Sequence, residues 1–129
     1  MSMIDHLSLG VDNIENAMTF YNGLLETLGY ACMVSNEALA AYGRDRVEFI
    51  LIRPNDGGDA SVGNGTHICF KADTKEAVDA FHKFAMANGG TCAGEPGPRP
   101  AYPIPDVYTT FILDPFGHKL EAINGGFAA

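Results

Sequence analysis

Three residues of this chain have the types and placement to hold a metal ion: His6, His67 and Glu121. Two neutral imidazoles and one carboxylate form a facial set that suits a divalent transition metal and leaves positions open for a substrate. An internal repeat relates the two histidines. Residues 6–29, HLSLGVDNIENAMTFYNGLLETLG, align without a gap on residues 67–90, HICFKADTKEAVDAFHKFAMANGG. His6 falls on His67, Asp12 on Asp73, Glu15 on Glu76, Phe20 on Phe81 and Gly29 on Gly90. Two copies are too few for a solenoid array. Duplicated units usually face each other, and two equivalent histidines are then expected near one shared site. Glu121 lies in HKLEAIN, where strand alternation puts Lys119, Glu121 and Ile123 on one face and Leu120 and Ala122 on the other. A carboxylate among apolar positions is costly to bury unless it is paired or bound to metal.

The elements that must position these residues follow from periodicity. Residues 4–11 alternate as a strand, with Ile4, His6, Ser8 and Gly10 on one face. Asp12 or Asn13 can cap the helix that follows. Its apolar face is Ile14, Ala17, Met18, Tyr21, Leu24, Leu25 and Leu28, and Gly29 supplies the stop. Strands are predicted over 30–35, 38–43 and 47–53. A Gly/Asp/Asn-rich loop over 54–65 links the copies. The second copy restarts with a strand over 66–72 and a helix capped by Asp73 or Thr74, with Val78, Phe81, Phe84 and Ala85 on its apolar face. A weak strand is expected over 91–93. Five prolines between residues 94 and 106 exclude a central strand there. Strands over 107–113 and 118–124 flank a turn at Asp114–Gly117. Each copy therefore reads βαβββ. The expectation is an α+β chain forming one domain over 1–129, built of modules 1–55 and 65–125. Together the modules are expected to make a curved eight-stranded mixed sheet with the helices outside. Its concave face is the default ligand site.

Composition bounds the partners. The formal net charge is -8, and no basic cluster exists to meet phosphates, which argues against nucleic acid. No apolar run approaches the ~20 residues of a membrane span. The three cysteines, Cys32, Cys69 and Cys92, are odd in number and lack CxxC spacing. With no secretory leader pattern, reduced thiols in a cytoplasmic protein are the simplest expectation.

The chain resembles the vicinal oxygen chelate superfamily, which includes glyoxalase I, extradiol dioxygenases, methylmalonyl-CoA epimerase, and fosfomycin and bleomycin resistance proteins. HLSLGVDNIENAMTFY, NGTHICFKA and FILDPFGHKLEAIN carry the resemblance, which spans essentially the whole chain. The last segment is the most specific: a D-P-x-G turn followed by a strand ending in a carboxylate is the superfamily's recurrent closing signature. The resemblance puts the metal positions on His6, His67 and Glu121. It implies a divalent ion (Zn, Mn, Ni or Fe(II)), a small-molecule substrate and a homodimer. Glyoxalase I uses a fourth ligand on the last strand of the first copy, here VEFILIRP. Counting from the histidine places that position at Phe49 to Leu51, with Glu48 on the opposite face. An apolar residue is then expected to face the cavity, and the three-ligand pattern is closer to that of extradiol dioxygenases.

Two functions follow. In the first, the metal acts as a Lewis acid in isomerase, lyase or dioxygenase chemistry, and Glu121 serves as a base by leaving the metal. In the second, a metal-free cavity sequesters a drug or metabolite, as bleomycin resistance proteins do. Phe49, Leu51, Cys69, Arg99, Tyr102 and Tyr108 are the expected pocket residues. The Pro-rich loop 94–106 is either a lid or a rigid connector. His82 on its helix and His118 in the closing turn read as structural or solvent-exposed.

Overall fold

In the computed structural model, residues 2–127 are described, and the chain divides into two compact units, Met1–Gly63 and Asn64–Ala129. We call them module 1 and module 2. Among the described residues, no helix is long and apolar enough to cross a membrane.

Module 1 runs β1 (Leu7–Gly10), α1 (Ile14–Glu26), β2 (Ala31–Ser35), β3 (Leu39–Gly43) and β4 (Val47–Ile52). Its sheet has the order β1-β4-β3-β2, with β1 parallel to β4 and the other pairs antiparallel. Of the two candidate caps, Asn13 is used: its side-chain oxygen accepts from the Asn16 N–H at 2.7 Å. The helix buries Ile14, Ala17, Phe20, Tyr21, Leu24 and Leu25. Each large side chain on that face contributes about 1.5–3 kcal/mol by leaving water. Gly29 at φ +85° ends the helix in the left-handed region that other residues avoid.

Module 2 repeats the pattern: β5 (His67–Lys71), α2 (Lys75–Ala87), β6 (Thr91–Pro98), β7 (Tyr108–Leu113) and β8 (Lys119–Asn124). Its order is β5-β8-β7-β6, with β5 parallel to β8. Thr74 is the cap, accepting from the Ala77 N–H at 3.0 Å. Val78, Phe81 and Ala85 form the buried helix face. The α+β class and the two βαβββ modules are thus both observed.

One strand is longer than its sequence predicts. Residues 91–93 were expected to pair, but β6 continues to Pro98. It does so as an edge strand with two irregularities, between Cys92 and Gly94 and between Gly94 and Gly97. Prolines are tolerated there because an edge leaves one side of the ladder without a partner.

The closing turn is held by Asp114. Its carboxylate accepts from the Phe116 N–H at 2.9 Å and the His118 N–H at 2.8 Å. His118 is buried in this turn. The turn delivers the chain into β8 and sets the register of Glu121.

Candidate functional site

In module 2, parallel pairing aligns His67 with Lys119, Cys69 with Glu121 and Lys71 with Ile123. Antiparallel pairing aligns Phe111 with Glu121 and Thr109 with Ile123. Directly paired residues share a face of the sheet. His67, Cys69, Thr109, Phe111 and Glu121 therefore lie on one face. Ile68, Phe70, Ile112, Leu120 and Ala122 lie on the other, buried with helix α2.

Glu121 is 3% exposed, so its carboxylate needs partners. His67 Nε2 lies 3.1 Å from Oε1. The Tyr102 hydroxyl donates to Oε2 at 2.8 Å and the Thr109 hydroxyl donates to it at 2.7 Å. The Thr109 hydroxyl also lies 2.8 Å from the Ala122 carbonyl. It has one proton, so it serves these two acceptors in turn. Oε2 is thus anchored, while Oε1 faces an imidazole that is 40% exposed.

The neighbours respond to this buried charge. Burial first, then the Glu121 charge and hydrogen bond, push the Cys69 thiol well above its ordinary range. The Tyr102 phenol is pushed up to about 12, by burial and then by its hydrogen bond to Glu121. Both groups are held neutral at physiological pH. The His67 ring packs against Phe111 with centroids 5.7 Å apart.

His67 and Glu121 have the donor types and the spacing of two ligands of one divalent ion. Ligands bound at about 2.1 Å and at right angles, as in a facial set of an octahedral site, are about 3.0 Å apart, close to the 3.1 Å between His67 Nε2 and Glu121 Oε1.

In module 1, His6 precedes β1 and is half exposed. Its Nδ1 lies 2.7 Å from Asp5 Oδ1, which leaves Nε2 as the nitrogen turned to other partners. A carboxylate on one imidazole nitrogen fixes the ring orientation and makes the other nitrogen a better ligand. The same hydrogen bond is the main cause that lowers the Asp5 pKa. Arg46 bridges this pair to Glu48: its guanidinium is 3.6 Å from Asp5 Oδ2 and 3.5 Å from Glu48 Oε1.

The register of β1 on β4 overturns one expectation. Leu7 pairs with Phe49 and Leu9 with Leu51. Those four residues share the face that packs on α1. Phe49 stacks 5.6 Å from Tyr21 and 6.2 Å from Tyr42, and Leu51 is fully buried. Phe49 and Leu51 are therefore core residues of module 1, not pocket residues. One step back in the same register sets Glu48 beside His6, on the same face. Within the range counted along the sequence, Ile50 pairs with Ser8 on that face, so an apolar residue stands there; what the register changes is Glu48, which shares the face instead of opposing it.

Two other expected pocket residues are used elsewhere. Tyr108 lies on the helix side of β7, where its hydroxyl donates to Asp79 Oδ1 of α2 at 2.6 Å. Arg99 donates to the carbonyls of Glu95, Gly97 and Pro98, so its guanidinium folds the Pro-rich segment onto itself. Tyr102, in contrast, reaches Glu121 from that segment. Thr109 was missed altogether: nothing in a single threonine of a strand marks it until the register of β7 on β8 is known.

The family model for the Glyoxalase/Bleomycin resistance protein/Dioxygenase superfamily matches residues 3–122. The chain belongs to this superfamily. It is 36% identical to a glyoxalase/bleomycin resistance protein from Albidiferax ferrireducens T118, with 97% of this chain and 100% of that one covered and a TM-score of 0.86. A glyoxalase-related enzyme from Fulvimarina pelagi has the same fold at 18% identity, covering 97% and 89% of the two chains with a TM-score of 0.71. So does a family enzyme from Burkholderia phytofirmans PsJN, at 17% identity, with 92% and 95% covered and a TM-score of 0.69.

Proposed function

We propose that this superfamily member is a metal-dependent enzyme acting on a small oxygen-bearing substrate, by isomerase, lyase or dioxygenase chemistry. The proposed ligands are His67 and Glu121 of module 2 and His6 of module 1, for Zn, Mn, Ni or Fe(II). The observation that carries this reading is the pairing of His67 Nε2 with a buried Glu121 carboxylate, whose second oxygen is anchored by two hydroxyls. A bound divalent ion would supply Lewis acidity toward two substrate oxygens. Glu121 is the proposed base: its Oε2 accepts hydrogen bonds from Tyr102 and Thr109, which hold the carboxylate in one orientation and leave Oε1 to take a proton. Tyr102, neutral up to high pH, keeps its hydrogen bond to Oε2 as that carboxyl gains its proton. Cys69 lies beside them as a neutral thiol and a small filler.

Glu48, on the face of His6, is the further carboxylate that a four-ligand arrangement needs. It brings glyoxalase-type chemistry back within the range of reactions. We also propose that the two modules act as one domain, that the chain is cytoplasmic, and that it works as a homodimer. Exposed Ile4, Leu7, Met33 and Val34 give module 1 apolar surface to cover.

The test is metal content. Full-length chain purified without chelator should carry a divalent ion, and in a Cys92→Ser background His67→Ala and Glu121→Gln should each remove it. Full occupancy in both variants would place the metal elsewhere. A chain that takes up no ion under any loading would instead be a metal-free binder. Light scattering that finds a monomer at micromolar concentration would reject the dimer.

A further inference from the structure

We propose that module 2 carries a separate zinc-binding site formed by His82, Cys92 and Glu95. The imidazole nitrogen, the thiol sulfur and a carboxylate oxygen of these residues all lie within 4.8 Å of one another. Cys92 Sγ is 3.5 Å from Glu95 Oε1, and His82 Nε2 is 3.7 Å from Glu95 Oε2. Tetrahedral zinc with bonds of about 2.0–2.3 Å separates its ligands by about 3.4–3.6 Å. The two distances to the Glu95 carboxylate are close to these, and a small side-chain adjustment brings all three donors, already within 4.8 Å, around one ion.

The second observation is independent of these distances. His82 Nε2 is buried and, among the described residues, has no hydrogen-bond partner. A buried polar atom without a partner is costly, and an ion is one of the few things that satisfies it. The side chain as a whole is 14% exposed, so water has little access to that nitrogen.

The backbone explains why the three residues meet. Cys92 and Glu95 are three apart, and in a regular strand they would point to opposite faces. Cys92 pairs with Ile112 but Gly94 pairs with Phe111, so one extra residue is accommodated between them. That bulge returns Glu95 to the face of Cys92, which is the face of α2. His82 stands on α2. The bulge re-aims a side chain, as bulges near functional sites do.

The donor set names the ion. A thiolate, an imidazole and a carboxylate suit a borderline-soft cation such as Zn²⁺, with Co²⁺ as its spectroscopic substitute, rather than Mg²⁺ or Ca²⁺. Three protein ligands leave a fourth position for water. On binding, the Cys92 thiol loses its proton to solvent and a sulfur–zinc bond forms; no electrons are transferred. The ion would tie the bulged edge strand β6 to α2, and stabilise module 2 as any ligand of the native state does.

The experiment titrates the full-length chain with Co²⁺ in a non-thiol reductant. The expected result is a thiolate-to-cobalt charge-transfer absorption that zinc abolishes. Cys92→Ser should remove the band, while Cys69→Ser and Glu121→Gln should keep it, which separates this site from the one around Glu121. In a Glu121→Gln background, zinc affinity measured by chelator competition should fall at least about 100-fold when Cys92→Ser is added, beyond what losing an outer-shell partner costs. His82→Gln should weaken it as well. Cys92 and Glu95 are exposed, so Cys92→Ser and Glu95→Gln leave the fold intact. A band that is absent at saturating cobalt, or that survives Cys92→Ser, overturns the proposal.

Discussion

Cys69 and Glu121 are direct partners on adjacent parallel strands, so the sheet sets a thiol beside a buried carboxylate. Cys69 as a residue is exposed, yet burial around its sulfur and the neighbouring charge hold the thiol protonated. The thiolate is the reactive form. Iodoacetamide at mildly alkaline pH should therefore modify Cys92 well before Cys69 in metal-free protein. Glu121→Gln should speed the Cys69 reaction by removing the charge. Peptide mass spectrometry over a time course reads both rates, and equal rates for the two cysteines would reject this account.

Thr109 is fully buried and its hydroxyl serves the Glu121 carboxylate. Thr109→Val keeps the shape and removes the donor. Leaving a buried acceptor short of a partner costs about 1–3 kcal/mol. A lower urea midpoint at unchanged slope is expected. The double variant Thr109→Val with Glu121→Gln should lose less than the sum of the two single losses, because they share one contact.

The Tyr102 phenol has a folded-state pKa of about 12 against an ordinary 10.0. The folded state thus binds the phenolic proton more tightly than the unfolded chain. Its contribution to stability is complete below pH 10 and fades as pH rises toward 12. Denaturant midpoints measured across that window should fall with pH. Tyr102→Phe should flatten that fall, and an unchanged slope would show that the phenol is not coupled to folding.

Glu48 lies one register step from the Leu7–Phe49 pair, on the face of His6. Glu48→Gln is expected to weaken divalent-ion affinity about 10-fold or more, the scale at which a ligand's supporting partners act. Glu48 is exposed and on the surface, so thermal stability without metal should change little. Isothermal titration with Zn²⁺ on both proteins checks it. Equal affinities would leave Glu48 as only a partner of Arg46.

The sequence by itself determined the elements and the duplication. Helical spacing from Ile14 to Leu28, Gly29 as the stop, and the gapless match of residues 6–29 to 67–90 are local properties of the chain. Local physics is enough to read them: side-chain period and turn residues decide which segments become helix or strand. His67, Tyr102 and Glu121 were legible as candidates for the same reason, because each stands in a recognisable segment. Only tertiary structure decided what touches what. Whether Phe49 or Glu48 shares the face of His6 depends on how β4 pairs with β1. Thr109 reaches Glu121 because β7 pairs with β8 in one register. Tyr108 turned to the helix, and Arg99 spent its donors on its own loop. His82, read from the chain as structural or exposed, became a buried nitrogen facing Cys92 and Glu95 because a bulge in β6 turned a carboxylate over. Register and bulges are set by contacts between segments far apart in the chain, and a one-residue change in either reverses every side chain that follows.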